Sequence, residues 1–204
     1  MTYSPSIEVL MNLAVHEAQA GGYTEILPEH LVMALTKMSE IAPDILGKLI
    51  EASFPLAKYR EEVEALKERF TSVTSDTKGL RREIRKRLGP GPGNRPGQMM
   101  HRSKEAKDLF KAAETYVGKA GFNRVTPELL LVVILILPPS MLLMELLKAK
   151  DIPLAELLAK KDQDKPGEQE PPKAAQGVAG LAELTILLKE MRTRLLDTVF
   201  GQGQ

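Results

Sequence analysis

The sequence predicts an all-α protein of two tandem four-helix repeats packed with pseudo-twofold symmetry, followed by a linker and a C-terminal helix. Three observations predict it. Apolar residues recur at three- and four-residue spacing through most of the chain, which places them on one face of a helix. Glycine and proline punctuate these stretches at regular places, ending and restarting them. And one phrase occurs twice: "GYTEILPEHLVMAL" begins at Gly22 and "GFNRVTPELLLVVI" at Gly121.

The first helix starts near Ser4 and Ser6, which bracket Pro5 as capping candidates. Ile7, Leu10, Leu13, Ala14 and Ala18 share its inner face, and Gly21 and Gly22 stop it. Pro28 suits the first turn of a second helix, through about Met38. Pro43 opens a third, with Ile45, Leu46, Leu49 and Ile50 inward. Pro55 opens a fourth, carrying Leu56, Tyr59, Val63, Leu66 and Phe70 at helical spacing.

The second half repeats this order. Ser103 caps a helix with Ala106, Leu109, Phe110, Ala113 and Val117, which Gly121 ends. Thr126 is an N-cap candidate with Pro127 at the first helical position. Pro139 opens the next helix, with Leu142, Leu143, Leu146 and Leu147, and Pro153 a fourth. "FPLAKY" from Phe54 corresponds to "IPLAEL" from Ile152. The pairs Gly22/Gly121, Pro28/Pro127 and Glu29/Glu128 share one offset. Each unit has apolar faces that it cannot bury alone, so two copies are expected to pack together.

These elements divide the chain into a double-repeat domain over 1–161, a flexible linker over 162–180 and an amphipathic helix over 181–204. Within the domain, repeat one spans 4–70, a basic Gly/Pro-rich insert 71–100 and repeat two 101–161. The insert carries "KGLRREIRKRLGPGPGNRPGQ", whose glycines and prolines read as a loop. Lys78, Arg81, Arg82, Arg85, Lys86 and Arg87 form a candidate basic patch there, with Glu83 as the lone acid. A solvated helix end is the plainer reading, since no aromatic residues interleave to stack bases. The linker "AKKDQDKPGEQEPPKAAQG" is polar, Pro-rich and aperiodic.

Composition narrows function. The net charge is +1, from 28 basic and 27 acidic residues. A general nucleic-acid binder is expected to carry a strong positive excess. Cysteine is absent, which excludes a disulfide scaffold, a thiol nucleophile and a Cys-ligated zinc site. The start lacks signal-peptide features, and a cytoplasmic location is expected. "LLLVVILIL", from Leu129, is short of the about 20 unbroken apolar residues a membrane span needs, and two prolines follow it; it reads as a buried helix.

No phosphate-binding loop, H-E-x-x-H or G-x-S-x-G pattern occurs, so no catalytic residue and no cofactor is expected. His16, His30 and His101 are scattered, and no metal site is expected. Glu29 and Glu128 each sit in the first turn of a helix. A carboxylate there complements the helix dipole and the free N–H groups. It could also grip a guanidinium or ammonium from a partner by charge-assisted hydrogen bonds.

"VLMNLAVHEAQAGGYTEILPEHLVMALTK" resembles the Clp N-terminal repeat, with its Ala spacing, Gly–aromatic turn and T-E-H-L-L-x-x-L segment. "LFKAAETYVGKAGFNRVTPELLLVVIL" is similar to a more diverged copy, and together they cover about residues 4 to 160. "LLKEMRTRLLDTVFGQGQ" looks like the segment leading into the ATPase module of such proteins. The resemblance implies a non-catalytic all-α domain that recruits protein substrates or an adaptor to a hexameric ATPase ring and, through it, to a peptidase. It further implies that Glu29 and Glu128, with His30, contribute to partner binding; in some family members the corresponding glutamates help bind phosphorylated arginine. The sequence departs from the family's pattern in carrying Pro28 and Pro127 for the Thr, Leu129 for the second His, and a long basic insert. A stand-alone module recognising a helix of a sheath or secretion component is the alternative, and a nucleic-acid-linked regulator acting through the insert a more distant one.

Overall fold

Helix formation follows the apolar spacing in the computed structural model, which describes residues 2–41, 56–93 and 99–147. The order is β1 (Thr2–Tyr3), α1 (Pro5–Ala20), β2 (Glu25–Ile26), α2 (Pro28–Glu40), α3 (Leu56–Val73), α4 (Thr77–Leu88), β3 (His101–Arg102), α5 (Lys104–Lys119), β4 (Arg124–Val125), α6 (Pro127–Ile136) and α7 (Met141–Leu147). The described residues are thus mostly helical. The expected helices from Pro43 and Pro153, the linker 162–180 and the helix 181–204 lie outside the described residues.

Local chemistry explains the element ends. Pro5, Pro28 and Pro127 stand at the starts of α1, α2 and α6, where the missing N–H is not needed. Ser103 Oγ accepts from Ala106 N (3.2 Å) and Thr126 Oγ1 from Leu129 N (3.3 Å), so both expected caps form. Ser4 takes the N-cap position of α1, but its side chain makes no capping bond. After α1 the left-handed position falls on Gly22 (φ +76°), and after α5 on Gly121 (φ +75°).

The four strands among the described residues, two residues each, join the halves reciprocally. β1 pairs in parallel with β4, Thr2 opposite Arg124 and Tyr3 opposite Val125. β2 pairs in parallel with β3, Glu25 opposite His101 and Ile26 opposite Arg102. Each ladder runs on into the cap of the next helix: Ser4 N donates to Val125 O (2.9 Å) and Ser103 N to Ile26 O (3.0 Å). A helical periodicity does not signal pairs this short.

One hydrophobic core draws on all seven described helices. Leu10, Ala14 and Ala18 of α1 meet Leu31, Ala34, Leu35 and Met38 of α2, with Tyr59, Val63, Leu66 and Phe70 of α3 behind them. From the second half come Ala106, Phe110, Ala113 and Val117 of α5, and Leu129 to Ile134 of α6. The apolar run at Leu129 is thus a core helix. α6 and α7 meet at a 97° bend, and among the described residues no single helix is long and apolar enough to cross a membrane.

Two readings need correction. Leu56, counted in the helical spacing of this stretch, is 37% exposed, because it opens α3 ahead of the packed turns. The stretch from Lys78, read as a loop, is helical to Leu88. Asp76 caps it, accepting from Gly79 N (2.7 Å), and Ile84 is its one buried residue. The loop begins only at Gly89 (φ +71°). With a single core residue, α4 carries too little apolar periodicity to announce itself. It is fastened instead by polar contacts to α1, α2 and α7.

Candidate functional site

The first turn of α2 holds Glu29 and His30, both buried. His30 turns back on its own helix, and its Nδ1 accepts from Leu27 N (3.0 Å). The acceptor Nδ1 fixes the neutral tautomer with the proton on Nε2. Burial holds the imidazole neutral, bringing its pKa down to about 4, against the opposing charge of Glu17. The Tyr23 ring meets His30 edge-on, with centroids 4.7 Å apart. The Tyr23 hydroxyl donates toward the carbonyls of Leu88 (2.9 Å) and Gly89 (3.0 Å). Burial raises its pKa, as does the neighbouring charge of Glu29. Glu29 is 5% exposed and makes no ion pair among the described residues.

The corresponding place in the second half differs. Glu128, in the first turn of α6, receives the chain's own Arg69 from α3, Nη2 to Oε1 at 2.8 Å. Both side chains are largely enclosed, at 14% and 11% exposure. Tyr116 lies in the same surroundings, its hydroxyl buried and its pKa pushed up to about 12 by burial. Leu129 fills the position that His30 holds in the first half and is buried in the core. The two carboxylates therefore stand in unlike settings: Glu128 already holds a guanidinium, and Glu29 holds none among the described residues.

The basic residues separate by face. Arg81 grips Glu40 through two bonds (2.9 and 2.7 Å) and reaches Thr36 Oγ1 (3.2 Å). Arg85 grips Glu17, Nη2 to Oε2 at 2.7 Å and Nε to the same oxygen at 3.2 Å. Arg87 spans Glu83 and Glu145, both at 2.8 Å. Lys78, Arg82 and Lys86 are exposed and make no ion pair among the described residues.

Glu17, Lys37, Arg69, Tyr23 and Tyr116 were not singled out by the sequence, although they build these surroundings. Glu17 is 3% exposed and lies between Lys37 and Arg85. Burial pushes its carboxyl pKa up, but the hydrogen bonds and charges of Lys37 and Arg85 outweigh that and leave it lowered. A signal was present: Glu17 stands three residues after Ala14, on the apolar face of α1. Arg69 likewise follows Leu66 by three on α3. An ionisable residue on a buried stripe calls for a partner. His16 and His101 join neither site. Among the described residues no group of three or more His, Cys, Asp or Glu is placed to hold a metal ion.

Compared with known proteins, the chain matches no protein-family model and no curated protein.

Proposed function

We propose that this chain is a non-catalytic recognition domain of the double Clp-repeat type, which recruits protein substrates or an adaptor to a Clp-type ATP-dependent unfoldase. The observation that carries this reading is the reciprocal strand pairing. The strand before α1 pairs with the strand before α6, and the strand before α2 with the strand before α5. A twofold rotation that exchanges α1 with α5 and α2 with α6 would exchange the two ladders as well. That is the relation the duplicated phrase calls for, and it supports two repeats about a pseudo-twofold axis. The segment 181–204, with its likeness to a lead into an ATPase module, belongs to the same proposal, as does a cytoplasmic location.

Recognition in this reading falls to Glu29 rather than to both glutamates. An enclosed carboxylate at a helix start, with no paired cation among the described residues, is suited to a cationic group of a partner, a guanidinium above all. His30 and Tyr23 shape its surroundings. Glu128 is satisfied internally by Arg69, so it contributes to binding only if that pair opens.

Competition tests the proposal. Excess isolated chain added to a degradation reaction run by the Clp-type unfoldase of the source cell should sequester substrate or adaptor and slow turnover. Glu29→Gln should lose that inhibition by about tenfold in concentration, as expected for one charge-assisted contact of about 1.4 kcal/mol. Glu128→Gln should inhibit like the native chain. Undiminished degradation at saturating chain would sink the reading, and equal inhibition by Glu29→Gln would move the site elsewhere.

A further inference from the structure

α4 adds one residue, Ile84, to the core, yet it is held at many points. Arg81 and Arg85 fix it to α2 and α1 through Glu40 and Glu17, and Arg87 ties it to Glu145 of α7. Tyr23 holds the carbonyls at its end. The Gly-Pro-Gly-Pro-Gly strap that follows is stitched down by Gly91 N to Gly21 O and Gly93 N to Gly22 O, both 2.8 Å. A side chain at Gly91 would meet Gly22 O at 2.5 Å, so the fit of the strap requires glycine. A polar helix fixed this firmly contributes little hydrophobic stabilisation. What the anchoring achieves is to hold its outer face in place.

That outer face is basic. Lys78, Arg82 and Lys86 follow at four-residue steps, opposite Ile84, each about 6 Å further along the axis. Six of the chain's 28 basic residues lie in α4 beside one acid, Glu83, whereas the whole chain carries +1. Arg81, Arg85 and Arg87 are turned to carboxylates, so the positive charge left on the outer face is that of Lys78, Arg82 and Lys86, while the remainder of the chain is net acidic.

We infer that the outer face of α4 docks an acidic helical segment of a partner protein, with carboxylates at four-residue spacing set against Lys78, Arg82 and Lys86. Equal rise on both helices puts the opposite charges in register along the whole stripe. The fixed helix loses little freedom on binding. A protein segment is favoured over nucleic acid because no aromatic side chain stands on this face to stack a base. This inference is independent of the Glu29 reading.

The test uses the full chain and a fluorescent alanine-based helical peptide with glutamate at every fourth position. Anisotropy should show binding that weakens as salt rises. Lys78→Glu/Arg82→Glu/Lys86→Glu should bind at least about tenfold more weakly, and Glu29→Gln like the native chain. None of the three side chains is in an ion pair among the described residues, so circular dichroism should report native helix content. If the reversed-charge chain misfolds, the triple Gln variant takes its place with the same expectation. Equal binding by the variant, no peptide binding at low salt, or tighter binding of a single-stranded oligonucleotide than of the peptide would each overturn the inference.

Discussion

His30 is the residue whose environment makes the sharpest claim. In the unfolded chain its imidazole takes up a proton near pH 6.5; in the fold, burial holds protonation off until about 4. Above 6.5 both states are neutral and the fold keeps its full stability. As pH falls, the unfolded state binds the proton first, so stability declines across the window from 6.5 to about 4. A shift of that size corresponds to about 3 kcal/mol. Glu17 works in the same direction, but its carboxyl begins to matter only below the ordinary value of 4.5. The upper part of the window therefore belongs to His30. Denaturant melts at stepped pH should show the decline, and His30→Leu, with the residue that Leu129 supplies in the second half, should flatten it above pH 4.5. An unchanged slope in that variant would assign the acid sensitivity to another group. Sequence named His30 as a candidate but gave no hint of its burial. Its role became legible only when Leu27 N and Tyr23 were seen around it.

At the scale of the element, the capping residues separate what a sequence signals from what a structure uses. Ser4 and Ser103 occupy matching places before α1 and α5, and both were read as caps. Ser103 Oγ accepts from Ala106 N, whereas Ser4 Oγ is buried with no partner among the described residues. Ser103→Ala should therefore cost about 1 kcal/mol, and Ser4→Ala about nothing or a slight gain, since it removes an unsatisfied hydroxyl. Thermal melts of the two variants, compared at equal pH, check the difference; equal losses would mean that Ser4 caps α1 as Ser103 caps α5. The lengths of α1, α2, α5 and α6 were legible because proline and glycine frame them and apolar spacing fills them. α4 was not. Its anchors are arginines, which look solvent-facing until Glu17 and Glu40 are set opposite them. A helix held by long-range ion pairs has no periodic apolar signature.

For the whole molecule, a repeated phrase and a shared core make opposite demands. A duplicated unit could in principle be two separable domains, each with its own core. Here the pairing is crossed. β1 and β2 of the first half find their partners in β4 and β3 of the second. α3 packs on α6 as extensively as on α2, and the Arg69–Glu128 pair lies across that contact. The repeated phrase was legible in sequence, but the crossed pairing was not, because pairing between strands of two residues leaves no pattern in sequence. Interlocking predicts that neither half stands alone. A peptide of residues 1–93 would leave uncovered the surface of α3 that packs on α6, and β1 and β2 without their partners. It should show low helicity and no cooperative melt by circular dichroism. Mixed with residues 99–204 it should recover helix and a single transition, at a lower midpoint than the intact chain because association now opposes folding. Two well-separated transitions in the intact chain, or a sharp melt of 1–93 alone, would make the halves autonomous domains that merely touch. Interlocked halves, by contrast, tie the two first-turn glutamates to one folding event, so that loosening α3 from α6 would release Arg69 from Glu128 and weaken the setting of Glu29 together.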